Sequence, residues 1–179
     1  MIEHVVELGS ELPQDVEALV TLRDSLASTP QGAAAVFVAA LLVYVEDRAK
    51  GIPCLTLVMD RGRLTQGSNG YKGFEPGRQD LRDLDERVGS KPYLARSYVA
   101  GTTPSGEYRL PSPPFQVKVR EQPHDVQAER AKVFVWSSGA DSPRPLTLIK
   151  NNRGLWKATN WSSLTVGIRP PAAPLDDDL

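Results

Sequence analysis

Residues 146–168 read LTLIKNNRGLWKATNWSSLTVGI, with apolar and polar residues alternating on both sides of Asn151-Asn152-Arg153-Gly154. A period of two sends successive side chains to opposite faces of an extended strand, and Asn and Gly tolerate the positive φ that a tight turn requires. The segment therefore reads as a β-hairpin, with Leu146/Leu148 and Leu155/Lys157 flanking the turn. It also carries Trp156 and Trp161, two of the three Trp residues, and so much of the large aromatic surface available to a core or a binding face.

The same alternation governs everything after residue 114. Strands are expected at 115–120 (Phe115, Val117 and Val119 on one face), 131–138, 145–150, 155–160 and 162–168. The strand at 131–138 is apolar on both faces, Val133 and Val135 against Phe134 and Trp136, which makes it central: covered by helices on one side and by a loop or a partner on the other. Before it, the turn-rich TTPSGEYRLPSPP at 102–114 cannot extend a helix.

The N-terminal half is helical in pattern. Pro13, Asp15 and Glu17 open a helix with Val16, Leu19, Val20 and Leu26 on one stripe. A second helix spans 30–50; it is Ala-rich at its start, apolar all round, charged in its last turns and stopped by Gly51, which makes it the central helix. Residues 52–59 fit either a strand or a short helix begun at Pro53, and helix is the preferred reading. The glycine-rich DRGRLTQGSNGYKGFEP at 60–76 lacks the Gly-Lys-Ser/Thr ending of a phosphate-binding loop and reads as a surface connection. Short helices follow at 78–88, whose DLRDLDER run is a solvated face, and at 92–99. The fold class is thus α+β: an N-terminal helical layer (13–99) packed on a C-terminal antiparallel sheet of four or five strands (115–168). One domain is expected over 1–171, followed by a disordered acidic tail at 172–179 that closes on Asp176-Asp177-Asp178.

Composition narrows the function. A formal net charge of −1 with 24% charged residues gives no electrostatic reason to expect nucleic acid as a partner. Cys54 is the only cysteine, so no intramolecular disulfide and no multi-cysteine zinc site can form. In the run Cys54-Leu55-Thr56-Leu57-Val58-Met59 its thiol reads as buried and inert. The acids Glu3, Glu7 and Glu11 break any secretory leader, and the longest apolar run, residues 32–45, is 14 residues against the roughly 20 needed to span a bilayer. Cytoplasmic residence without membrane insertion is the expectation.

The densest polar run is Ser137-Ser138-Gly139-Ala140-Asp141-Ser142-Pro143-Arg144. Its bland reading is a turn in which Asp141 caps the backbone and Arg144 pairs with an acid. Its functional reading is a recognition site, with Ser137 and Ser138 alongside, Arg144 presenting a planar fork to a carboxylate or phosphate, and Asp141 orienting it. Trp136 and Trp161 read as core or as the lining of a cleft that would include Tyr98. His4, in a terminus expected to be mobile, and His124 beside Asp125 are the only histidines, and adjacent residues make a poor dyad. No catalytic residue, metal site or cofactor is assigned.

Lys91-Pro92-Tyr93 through Ser97-Tyr98, Gly101-Thr102-Thr103-Pro104, the run from Ser137 to Pro145, and Leu155-Trp156-Lys157 through Trp161-Ser162-Ser163-Leu164 together resemble a family of uncharacterised bacterial proteins known as a domain of unknown function. The resemblance covers about residues 75–171 and implies no activity and no site residues. Helices followed by an antiparallel sheet with a late Gly-x-Trp-Lys strand are also similar in layout to the nuclear-transport-factor-2-like cone. That likeness implies a pocket between helices and sheet, while the long Gly/Pro loops and the lack of acids or histidines on the strands depart from the enzymes of that class.

Two functions follow as expectations. The first is a small cytoplasmic binding protein, of the immunity or accessory kind that neutralises a bacterial toxin by contact with a protein partner. The second is a ligand-binding protein or enzyme with a cone-like pocket. Oligomeric state is left open.

Overall fold

The computed structural model describes residues 1–172, and its centre is α2 (Pro30–Glu46). Thr29 caps this helix by accepting from the Gly32 N–H at 3.1 Å, and Pro30 occupies the first turn, where its missing N–H costs nothing. The helix is buried on nearly all sides from Pro30 to Tyr44, as expected of a sequence that is apolar all round. It ends earlier than the expected residue 50. Asp47 is extended at φ −151° and serves as both the C-cap of α2 and the N-cap of α3 (Arg48–Val58), accepting from the Lys50 N–H. Gly51, expected as a helix stop, instead sits in the first turn of α3, where a Cβ would fall 2.1 Å from the Tyr44 Cα; its role is to let α2 and α3 cross closely. Residues 52–58 are helical as preferred, with Pro53 inside the helix rather than at its start.

Around α2 lie α1 (Val16–Leu26), α4 (Arg78–Leu84), which runs on into a π-helical turn at Asp85–Gly89, and α5 (Pro92–Arg96). The five-stranded antiparallel sheet runs β1-β4-β5-β6-β7, with β1 (Ile2–Gly9), β4 (Phe115–Glu121), β5 (Arg130–Val135), β6 (Arg144–Lys150) and β7 (Trp156–Asn160). The β6–β7 turn forms where it was expected. Asn151 Oδ1 accepts from the Arg153 and Leu155 N–H groups, both at 2.9 Å, and Gly154 takes φ +77°.

Three further expectations fail, each for a local reason. The N-terminus is an ordered edge strand: Val6 pairs with Val117 and His4 with Val119, and His4 Nε2 lies 3.1 Å from Glu121. The glycine-rich 60–76 segment is largely a hairpin, β2 (Leu64–Tyr71) with β3 (Phe74–Pro76), turned by Lys72 and Gly73 at φ +51° and +83°. Residues 162–168 are not a strand. After Trp161 the Asn160 carboxamide accepts from the Ser162 N–H and hydroxyl, winding Ser162–Thr165 into a 3₁₀ turn, so the fifth strand comes from the N-terminus. The tail from 173 onward, expected to be disordered, lies outside the described residues. Among the described residues no helix is long and apolar enough to cross a membrane.

Candidate functional site

The 137–144 loop is tied to the rest of the fold chiefly through Ser137, Ser138 and the Arg144 Nη2, while Arg144 Nε is buried without a partner among the described residues. The Ser137 hydroxyl donates to Ser97 Oγ at 2.8 Å and accepts from the Gly139 N–H, while Ser138 Oγ lies 2.9 Å from Thr102 Oγ1. The Ser138 N–H donates to the Ser97 carbonyl at 2.9 Å. These bonds join the end of β5 to the turn after α5, and Ser97, Thr102 and Ser137 are buried. Buried hydroxyls need such partners, and a set satisfied internally has little left to offer a ligand. Gly139 lets the Tyr108 ring approach, since a Cβ there would stand 2.3 Å from the Tyr108 Oη.

Asp141 and Arg144 do not meet as an oriented pair. Asp141 is almost fully exposed and pairs with Arg169 at 2.6 Å, whereas Arg144 donates through Nη2 to the Gly167 carbonyl at 2.9 Å. Each holds the segment after the 3₁₀ turn back against the loop. Tyr98 is fully buried and donates to the Leu164 carbonyl at 2.6 Å, and burial pushes its hydroxyl well above the usual phenol range. Trp161 is a core residue, 5% exposed, with its ring 5.9 Å from Phe37 and the Arg63 guanidinium over it. Cys54 is buried, and its thiol is pushed up to about 12, chiefly by desolvation.

Trp136 is the one residue of the set that faces outward from the sheet. Cross-strand pairs assign the faces: Val119 opposite Val135, Val133 opposite Leu146 and Leu148 opposite Ala158 form the inner layer, all 0–1% exposed. On the other side Arg120 and Pro145 flank Phe134, Thr147 lies opposite Lys132, and Arg130 opposite Ile149. Phe134, Trp136, Ile149 and Lys118 are only half-buried and Lys132 is exposed, whereas α2 packs on the inner layer. Lys118 Nζ stands 5.1 Å from the Trp136 ring centroid and Lys132 Nζ 5.4 Å from that of Phe134. Neither lysine has a carboxylate partner among the described residues, although Arg120 at the β1 side pairs with Glu3 at 2.8 Å. The signal for this surface was present in the sequence as a strand apolar on both faces. Lys118, Lys132 and Ile149 were missed because only strand register shows that they share Trp136's side.

Two acids of the DLRDLDER run, Asp80 and Asp85, are paired, while Glu86 is exposed as a solvated face requires. Asp80 pairs with Arg63, and Asp85 accepts from Tyr44 and twice from Arg48, whose guanidinium holds that carboxyl below the usual range. Among the described residues no cluster of three or more His, Cys, Asp or Glu side chains could hold a metal ion.

No curated protein and no solved structure shows a significant match to the chain. A family model described as "Domain of unknown function (DUF6935)" matches residues 11–172, which takes in every described element except β1. The match reaches well upstream of the 75–171 over which the resemblance was legible, and the chain belongs to that family.

Proposed function

We propose that this chain is a non-catalytic binding protein that docks a protein partner on the open face of its five-stranded sheet, acting in the cytoplasm as an immunity or accessory protein does, by contact. The observation that carries this reading is the pairing of Phe134 and Trp136 with Lys118 and Lys132 on a face that no helix covers. Aromatic anchors with cations beside them are the composition of interface hot spots, and half-exposed aromatic area contributes more when a partner completes its burial. Charge complementarity describes that partner: an apolar centre ringed by carboxylates placed for Lys118 and Lys132. A pocket between helices and sheet has less support, because Phe37, Leu41, Val119, Val135, Leu148 and Trp161 fill that layer in one continuous core.

A photo-crosslinking residue at Thr147, in the middle of the open face, tests the proposal in cells that express the full chain. The expected result is a protein adduct joined through an acidic peptide and lost in the Trp136→Ala and Lys118→Glu variants while their circular dichroism stays native. Adducts unchanged by those substitutions, or adducts only with nucleic acid or with further copies of this chain, overturn it.

A further inference from the structure

A second surface lies at the β7 edge of the sheet, where Lys157 is the register partner of Ile149. The end of α3, the β2–β3 hairpin, α1 and the β6–β7 turn enclose a cleft of about 550 Å³. Among the described residues five cations line it, Arg23, Arg61, Lys72, Arg153 and Lys157, and Asp60 is the only acid in the lining. Asp60 is already engaged, accepting from the Gly62 N–H at 3.0 Å. Arg23 pairs with Asp24 at 2.9 Å just outside the cleft, but no ion pair among the described residues involves Arg61, Lys72, Arg153 or Lys157. Arg61 lies 4.6 Å over the Phe74 ring and Lys72 5.4 Å from that of Tyr71, so both heads are held at the hairpin by aromatic faces, with their charge uncompensated.

Lys157 is the most telling member. It leaves the edge strand β7 and donates to the Leu57 carbonyl at the end of α3, which is one acceptor for three N–H donors on a largely desolvated ammonium. Burying a charge this way is costly unless something else meets it. Like-charged neighbours raise that cost: desolvation first, then Arg23 and Arg153, bring the Lys157 amine down to about 8 against the weaker pull of Asp24 and Asp60. A group left in that condition is stabilised by an anion in the cleft.

We propose that this cleft binds a small organic phosphate, its dianion held by Lys157 and Arg153 and its organic part lying along Tyr71 and Phe74. A phosphate fits better than a single carboxylate because the uncompensated charge is multiple and the lining cations come from four separate segments. The volume lies within the usual range for small-ligand sites, roughly 300–1,000 Å³.

Calorimetric titration of the full chain with pyrophosphate, ADP and citrate at low salt tests this. Pyrophosphate and ADP should bind, more weakly as salt rises, and the Lys157→Met and Arg153→Ala variants should each lose about tenfold in affinity. Arg153 is exposed in a turn, so its variant keeps the test sound should Lys157→Met fail to fold. Because binding draws a proton onto Lys157, affinity should fall as pH rises from 7 to 9, and Lys157→Arg should flatten that fall. Absence of binding at millimolar pyrophosphate and ADP, or binding indifferent to both substitutions, overturns the proposal. Citrate bound as tightly as pyrophosphate overturns the assignment to phosphate.

Discussion

On β6, Leu148 and Ile149 are neighbours of equal carbon count with opposite fates. Leu148 is 1% exposed in the core, whereas Ile149 stands half-buried on the far side of the same sheet. The whole sheet repeats that contrast: Val117, Val119, Val133, Val135 and Leu146 are fully buried, and Lys118, Phe134 and Trp136 are not. Burial of apolar area drives folding at roughly 25 cal/mol per Å², so the inner face carries the fold. The outer face keeps aromatic area that folding leaves partly wet, and that residue of unburied surface is what a partner can use.

The sharpest break between the faces should come from Trp156, which is 5% exposed on β7 and whose N–H holds the Ala27 carbonyl at 2.9 Å at the end of α1. Trp156→Ala should cost about 3–5 kcal/mol in urea unfolding, and a loss under about 1 kcal/mol would place this residue among the exposed aromatics instead. Tyr98→Phe is expected to cost about 1–3 kcal/mol, because it removes only the hydroxyl and leaves the Leu164 carbonyl buried without its donor. A neutral Tyr98→Phe would show that the loop around residues 162–165 is held by packing alone. Arg144→Ala should cost on the order of 1 kcal/mol through the lost bond to Gly167, with partner capture at the sheet face unchanged. Capture abolished by Arg144→Ala in a folded protein would move the recognition site from the sheet to the loop.

Where signals were local, they were readable in the sequence. Asn151 to Gly154 carried its own turn chemistry, and the alternation of Val117, Val119, Val133 and Val135 needed no partner to be recognised. Strand β1 alternates too, with His4, Val6 and Leu8 turned inward, but its acids and its place at the terminus masked the pattern. The β2–β3 hairpin was illegible for a different reason: TQGSNGY has no apolar alternation, and Lys72 at positive φ gives no residue-type signal. The Ser162 turn broke a period-two pattern through the bonds that the Asn160 carboxamide accepts from Ser162, which alternation cannot reveal. The cationic cleft gathers residues from segments more than a hundred positions apart, and its charge disappears into a net −1 when the chain is read end to end.

The most direct test of the division between the two faces is equilibrium urea unfolding of Leu148→Ala beside Ile149→Ala, adjacent positions on one strand. The inner substitution should cost about 2–5 kcal/mol and the outer one no more than about 1 kcal/mol. Equal losses would mean that the outer face is packed as tightly as the core and has no unburied surface to offer a partner.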